Sequence, residues 1–186
     1  MDLATGQNLI KQKKFPSALR LLKTLLSLNP HNHDIFFYLG RVYSEIQDFQ
    51  NSIKYYQKYL NKNKNSISCL INLAILYLNI GDKKNSEKTF KKLLKINKSH
   101  IYGYYGLFSL SEKLLLDEDY NYLAEILNDN KISKRDKSVI NFIFSKRERK
   151  KNNLNKELLF LQKYHNQSFE ANIHYNKQSQ FYYENV

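Results

Sequence analysis

The sequence predicts an all-α fold of stacked helix pairs. Three observations carry that prediction. Apolar and small residues recur at a spacing of 34, the chain holds only 5 Gly and 2 Pro among 186 residues, low for a strand-and-turn fold, and an apolar content of 42% allows a real core. The clearest part runs from His33 to His100. There Leu39-Gly40…Tyr43…Ser52…Tyr56…Tyr59 is followed by Leu73-Ala74…Tyr77…Ser86…Phe90…Leu93, every pair 34 apart. One helix pair is too small to bury its own apolar side, so neighbours must stack and the same core positions must recur. A small residue at Gly40 and Ala74 lets the two helices of a pair cross closely.

This pattern, Leu-small-x-x-Tyr on a first helix and small…aromatic…apolar on a second, resembles the tetratricopeptide repeat. The resemblance implies a right-handed α-α superhelix, a solenoid whose concave side, lined by first helices, is where ligands lie. Four repeats are expected at 1–32, 33–66, 67–100 and 101–134, with a looser fifth pair at 135–168 and a terminal capping or linker helix at 169–186.

In the first repeat, Gly6, Ala18, Leu22, Leu25 and Pro30 hold the marker positions. Phe15-Pro16 marks the turn, with Pro16 starting a second helix to Leu28, where its missing N–H costs nothing. Asn29-Pro30 ends that helix. The second repeat reads as Asp34–Ile46, opened by an acidic cap at Asp34, and Phe49–Leu60. The third begins after Ser66, turns at Asn79–Gly81 and continues through a Lys-rich helix to Ile96. In the fourth, Leu107 keeps its place, but Phe108 stands where a small residue is expected and Ser111 where Tyr stood. A ring at the crossing is expected to splay this pair or to turn outward. The second helix, Glu118–Leu127, places Ala124 and Leu127 in register. The fifth pair reads as Asp136–Lys146, a basic turn 146–153, and Leu154–His165 with Leu154, Leu158 and Leu161 in register. Phe181, Tyr182 and Tyr183 close the chain with little to cover them, which suggests that more protein follows.

The net charge is +13, from 30 Lys and Arg against 17 Asp and Glu. Such an excess can attract polyanions, but a lysine- and asparagine-rich composition spread over solvated helix faces is the preferred reading. A lone Cys69 excludes an intrachain disulfide framework and fits a reducing, cytoplasmic setting. No secretion signal and no apolar run of about 20 residues is present, so no membrane contact is expected. The histidines at 31, 33, 100, 165 and 174 have no metal-ligand spacing, and neither a phosphate-binding glycine loop nor a nucleophile motif occurs. No catalytic residue, metal or cofactor is expected of this chain alone.

The binding candidates lie on the first helices, on the side away from the core markers. They are Phe37, Tyr38 and Arg41, then Ile71, Asn72, Ile75 and Asn79, then Tyr102, Tyr105, Ser109 and Lys113. This aromatic, mildly basic surface suits a protein partner or extended peptide with its backbone held by Asn72 and Asn79, or else the protein's own downstream domain. Family members that grip C-terminal carboxylates use Lys, Asn and Arg where this chain has Phe37, Arg41, Ile71 and Ile75.

A second resemblance covers 132–175. Ser133…Asp136…Asn141-Phe142…Leu158…Leu161…Ala171-Asn172…Tyr175 is similar to the linker of bacterial proteins that join tetratricopeptide repeats to a sulfotransferase domain. It departs from that pattern at Ile143-Phe144 and at Asn176. It implies a repeat region preceding an enzyme that uses 3′-phosphoadenosine-5′-phosphosulfate (PAPS), with the donor-binding loop absent from this chain. The preferred expectation is therefore an interaction scaffold of a sulfotransferase-like protein. A free-standing adaptor is the alternative, and a nucleic-acid-binding array using 146–151 and 84–95 comes last, because no base-stacking aromatics flank those patches.

Overall fold

A computed structural model describes residues 2–172. The described residues are helical throughout, without a strand, and the chain divides into two compact units, 1–98 and 99–186. Unit one holds α1 (Leu3–Lys11), α2 (Phe15–Leu28), α3 (Asp34–Glu45), α4 (Phe49–Lys62), α5 (Ile67–Asn79) and α6 (Lys83–Ile96). Unit two holds α7 (Ile101–Leu110), a 3₁₀ turn (Glu112–Leu114), α8 (Asp117–Leu127), α9 (Lys134–Lys150) and α10 (Leu154–Ala171).

Unit one is three antiparallel helix pairs. The turns inside them repeat as strictly as the core does. Lys13, Gln47 and Gly81, each 34 apart, have φ of 57°, 62° and 78°, the left-handed conformation that ends a first helix. Asp48 and Asp82 then accept from the backbone N–H of Asn51 and Asn85, at 3.2 and 3.1 Å, capping α4 and α6. At the start of α3 the expected cap differs. Asp34 lies inside the first turn, the cap position belongs to His33, and Asn32 Oδ1 accepts from the Asp34 N–H.

The crossings are built alike. Ser52 Oγ donates to the Gly40 carbonyl and Ser86 Oγ to the Ala74 carbonyl, both at 2.8 Å and both fully buried. The Tyr56 ring lies on Gly40, so closely that a Cβ there would stand 2.6 Å from Tyr56 Cδ1. Tyr56 also packs forward onto Cys69, Leu73, Leu76 and Tyr77. One ring thus joins its own pair to the next.

Unit two departs from the period, and Phe108 marks the departure. The ring is buried, as is Tyr120, which stands where Ser52 and Ser86 stood. Phe108 meets Phe142 of α9 edge-on at 6.3 Å, and the close helix neighbour of α7 is α9 rather than α8. The expected splay is therefore taken up by a change of partner. Register on α8 shifts with it. Ala124, the counterpart of Phe90, is exposed, and Leu123 is fully buried instead.

α9 and α10 form a long hairpin. α9 runs past the expected end at Lys146 because its basic last turns find carboxylates. Arg147 pairs with Asp117, Arg149 with Glu157, Lys150 with Glu112 and Lys151 with Glu148. α10 likewise continues past His165 to Ala171. The in-register residues Leu154 and Leu158 are exposed, contrary to the expectation that they pack. Of the terminal helix expected at 169–186, residues 169–171 belong to α10, and His174, Tyr175 and the Phe181-Tyr182-Tyr183 cluster lie outside the described residues.

Gly40→Ala should cost about 1–2 kcal/mol in urea unfolding, as overpacking against a buried ring outweighs the gain in helix propensity. Gly6→Ala meets flexible leucine side chains, Leu22 at 3.1 Å and Leu21 at 3.9 Å, and should be at least about 1 kcal/mol milder. Equal effects would show that the ring contact does not set the crossing.

Candidate functional site

In unit one the first helices lie side by side, α3 touching both α1 and α5. Because the second helices take the core-facing small and aromatic residues, the opposite faces of α1, α3 and α5 form a wall with two clefts.

One cleft, of about 180 Å³, is lined by Arg41, Ser44, Glu45, Tyr56, Asn72, Ile75, Leu76 and Asn79. Arg41 and Glu45 are one turn apart on α3, and Asn72 and Asn79 are two turns apart on α5, so both pairs face the same way. Tyr56, buried on α4, also lines it. Burial holds its hydroxyl well above the ordinary tyrosine range, and the nearby Cys69 adds to this, while Arg41 and a hydrogen bond with Asn72 act the other way. Tyr56 is therefore a neutral hydroxyl beside Asn72. The cleft offers one cation, one carboxylate, two amides and the 43% exposed Ile75.

A neighbouring cleft, of about 290 Å³, is lined by Leu3, Gln7, Asp34, Phe37, Tyr38, Tyr59, Ser66 and Ser68. Gln7 Nε2 donates to the Tyr38 hydroxyl at 2.8 Å, tying α1 to α3. The Phe37 ring is fixed by Tyr38 and Tyr59, each centroid at 5.3 Å.

Of the seven candidates in this unit, Arg41, Asn72, Ile75 and Asn79 line the first cleft and Phe37 and Tyr38 the second. Ile71 is half-buried and lines neither. Gln7 and Glu45 were missed by the sequence reading although the period points to them. Gln7 is 34 before Arg41, and Glu45 is 34 before Asn79.

The remaining candidates belong to unit two. Tyr102 has the Arg135 guanidinium 5.5 Å from its ring centroid, and the Tyr105 ring is 6.2 Å from Phe142. Both rings are engaged by α9. Ser109 Oγ donates to the Tyr105 carbonyl within α7. Lys113 lies past the end of α7, on the 3₁₀ turn, not on the first helix as expected.

Cys69 is fully buried on α5, its Sγ 3.6 Å from the Tyr56 carbonyl oxygen. Burial pushes its thiol up to about 12, with Lys92 pulling slightly down. A thiolate nucleophile is thereby disfavoured. Among the described residues no group of three His, Cys, Asp or Glu could hold a metal, and no helix is long and apolar enough to cross a membrane. The basic run 146–151 is largely paired with carboxylates, whereas among the described residues only Lys91 of the α6 lysines has a carboxylate partner, Glu87.

Models of the tetratricopeptide repeat match residues 34–66 and 67–100. No curated protein matches the chain. Among solved structures, that titled "Crystal structure of MamA" is similar with a TM-score of 0.69 at 17% identity, covering 91% of this chain and 96% of that one. Another, "Crystal structure of YrrB: a TPR protein with an unusual peptide-binding site", gives 0.66 at 15% identity, covering 92% and 88%. These likenesses show the fold, an all-α tetratricopeptide-type solenoid.

Raised pKa values make alkaline pH destabilising. Between about pH 9 and 12 the unfolded Cys69 thiol ionises while the folded one stays protonated, so the unfolded state holds fewer protons and stability falls as pH rises. Tyr56 and Tyr104, raised mainly by burial, act in the same direction. Native Cys69 should resist an aromatic disulfide reagent at pH 8 and react only as fast as the chain opens. Fast stoichiometric labelling of folded protein would contradict its burial.

Proposed function

We propose that this chain, a solenoid with tetratricopeptide repeats at its centre, is a non-catalytic adaptor that holds an extended peptide segment of a partner protein along the α1–α3–α5 wall of unit one. The observation that carries the reading is the first cleft, where Asn72 and Asn79 stand two turns apart beside Arg41 and Glu45. Each amide offers a donor and an acceptor, the pairing that a peptide backbone requires. Arg41 and Glu45 would read charges of both signs, and exposed Ile75 would take an apolar side chain. The second cleft, with the Phe37 and Tyr38 rings, extends the track toward α1.

The free-standing adaptor is better supported than the repeat region of a sulfotransferase. Both solved structures named above are matched over about nine-tenths of their own length by a repeat fold alone. The sulfotransferase reading rests on short motifs between 132 and 175, and part of that stretch lies outside the described residues. A nucleic-acid role loses its 146–151 patch to internal ion pairs.

Random dodecapeptides displayed on phage and selected on the full chain should yield binders. Their affinity should fall roughly tenfold or more in Arg41→Ala and in the Asn72→Ala/Asn79→Ala double variant, with unfolding midpoints nearly unchanged. Binders equally tight on these variants would sink the assignment of this cleft.

A further inference from the structure

The charge of unit one is sorted between its two helix layers. The first helices α1, α3 and α5 carry two bases, Lys11 and Arg41, and two acids, Asp34 and Glu45. The second helices α2, α4 and α6 carry ten lysines and one arginine, all exposed, against the single acid Glu87. Eleven bases less one acid leave ten of the chain's +13 on three helices. The chain as a whole has 17 acids to 30 bases, so a uniformly lysine-rich composition does not account for this layer. The nearby cap carboxylates Asp48 and Asp82 are engaged by backbone N–H groups at the helix starts.

The bases are ordered in two directions. Across the helices, Arg20, Lys54 and Lys88 stand 34 apart, so the repeat sets one base at the same place on each second helix. Along α6, Lys84, Lys88, Lys91 and Lys95 follow at intervals of four, three and four, the spacing of one helix face. With Lys92 and Glu87 they wall a shallow cleft of about 550 Å³. The Glu87 carboxylate stands in it 2.6 Å from Lys91 Nζ, an example within the chain of the anion these lysines accept. Lys84, Lys88, Lys92 and Lys95 pair with no carboxylate among the described residues.

We propose that this face holds an acidic, unstructured segment of a protein partner, a pliable chain rich in Asp and Glu laid along α6 and across toward α4 and α2. Shape selects a pliable ligand. The first helices touch in order, α1 on α3 and α3 on α5, while the second helices make no comparable contact with one another, so theirs is the spread, outer side. A flat bilayer or a stiff duplex meets such a side along one helix, whereas a flexible chain can follow all three. Side-chain chemistry then selects carboxylates over single-stranded nucleic acid. No aromatic ring of α2, α4 or α6 is exposed to stack a base, and one arginine among eleven bases offers little bidentate grip on phosphate. Carboxylates on alternate residues of an extended segment lie about 6.8 Å apart. The α6 lysines step by about 4.5–6 Å, a difference that their four-carbon arms absorb. This face lies on other helices than the cleft of Asn72 and Asn79, so the two can be occupied independently.

The test titrates fluorescein-labelled dodecaglutamate with the full chain and reads anisotropy. The dissociation constant should be on the order of 10 micromolar in about 50 mM NaCl and should rise at least about tenfold by about 300 mM. Lys84→Glu/Lys88→Glu should weaken binding roughly tenfold or more. Lys131→Glu/Lys156→Glu, the same change in net charge placed in unit two, should leave it within about twofold, as should Arg41→Ala in the first cleft. Circular dichroism of each variant checks that it folds. Absence of binding at low salt would overturn the proposal, and so would equal loss in both charge reversals, which would mean attraction to net charge alone. Equal loss in Arg41→Ala would also overturn it by moving the acidic chain to the first cleft. Tighter binding of an oligothymidylate or a duplex DNA of equal charge would reassign the face to nucleic acid. Capture by phosphatidylserine vesicles that dodecaglutamate cannot compete off would reassign it to a bilayer.

Discussion

The first unit depends on one close approach, made twice. A serine hydroxyl on a second helix donates to the carbonyl of the small residue at the centre of the first, Ser52 to Gly40 and Ser86 to Ala74. That bond is possible only where the backbones come near, which demands a residue with little or no side chain on one helix and a short hydroxyl on the other. An aromatic one turn later, Tyr56 or Phe90, then closes the space beside the crossing. Because Tyr56 reaches forward to Cys69 and Leu73, the geometry of one pair sets the seat of the next. The burial that raises the Tyr56 hydroxyl and the Cys69 thiol is a by-product of this seam, and it explains why the chain's one thiol is a core side chain instead of a reagent.

Where that approach is forbidden, the packing changes. Phe108 and Tyr120 occupy the places of the small residue and the serine, so a hydroxyl-to-carbonyl bond of this kind cannot form. α7 then takes α9 as its partner, and Phe108 packs on Phe142. Tyr120 finds a different role, with the Arg147 guanidinium 3.9 Å from its ring centroid and Asp117 pairing that arginine. The chain's division after Lys98 falls between the last crossing of the small-residue type and the first without it.

This explains which parts of the structure were legible in the sequence. Spacing reports which side chains share a helix face, and it reads correctly where the element across the crossing is also repeated. That held through α6, where even the left-handed turn residues Lys13, Gln47 and Gly81 keep the period, although only one is a glycine. It failed at Ala124 and at Leu158, which sit on apolar marker positions yet face no repeated neighbour. Helix ends failed for a different reason. The run 146–151 looks like a solvated turn as a mostly basic sequence, but Lys and Arg are good helix formers once carboxylates from Glu112, Asp117, Glu148 and Glu157 offset their repulsion. Asp117 and Glu112 are distant in sequence, so a local window contains only part of the answer. The clefts were half legible: Arg41, Asn72, Ile75 and Asn79 came from helix faces, whereas Tyr56 enters from a second helix and only the fold reveals it.

The charge distribution bears on how such a wall could discriminate. The net excess of +13 is concentrated on surfaces such as α6, with six lysines and one glutamate, while the basic end of α9 is matched by carboxylates. The first cleft, by contrast, sets one arginine against one glutamate and is otherwise amides, hydroxyls and aliphatic surface. A near-neutral recess on a strongly basic protein separates two kinds of attraction. The lysines act at long range and without selection, raising the encounter rate of any acidic chain. Selection has to come from hydrogen bonds made within the recess, where a peptide that cannot pair Asn72, Asn79, Arg41 and Glu45 leaves desolvated polar groups without partners. Specificity on this wall therefore follows from the amides set two turns apart by α5, whose position is fixed in turn by the crossing of Ser86 on Ala74.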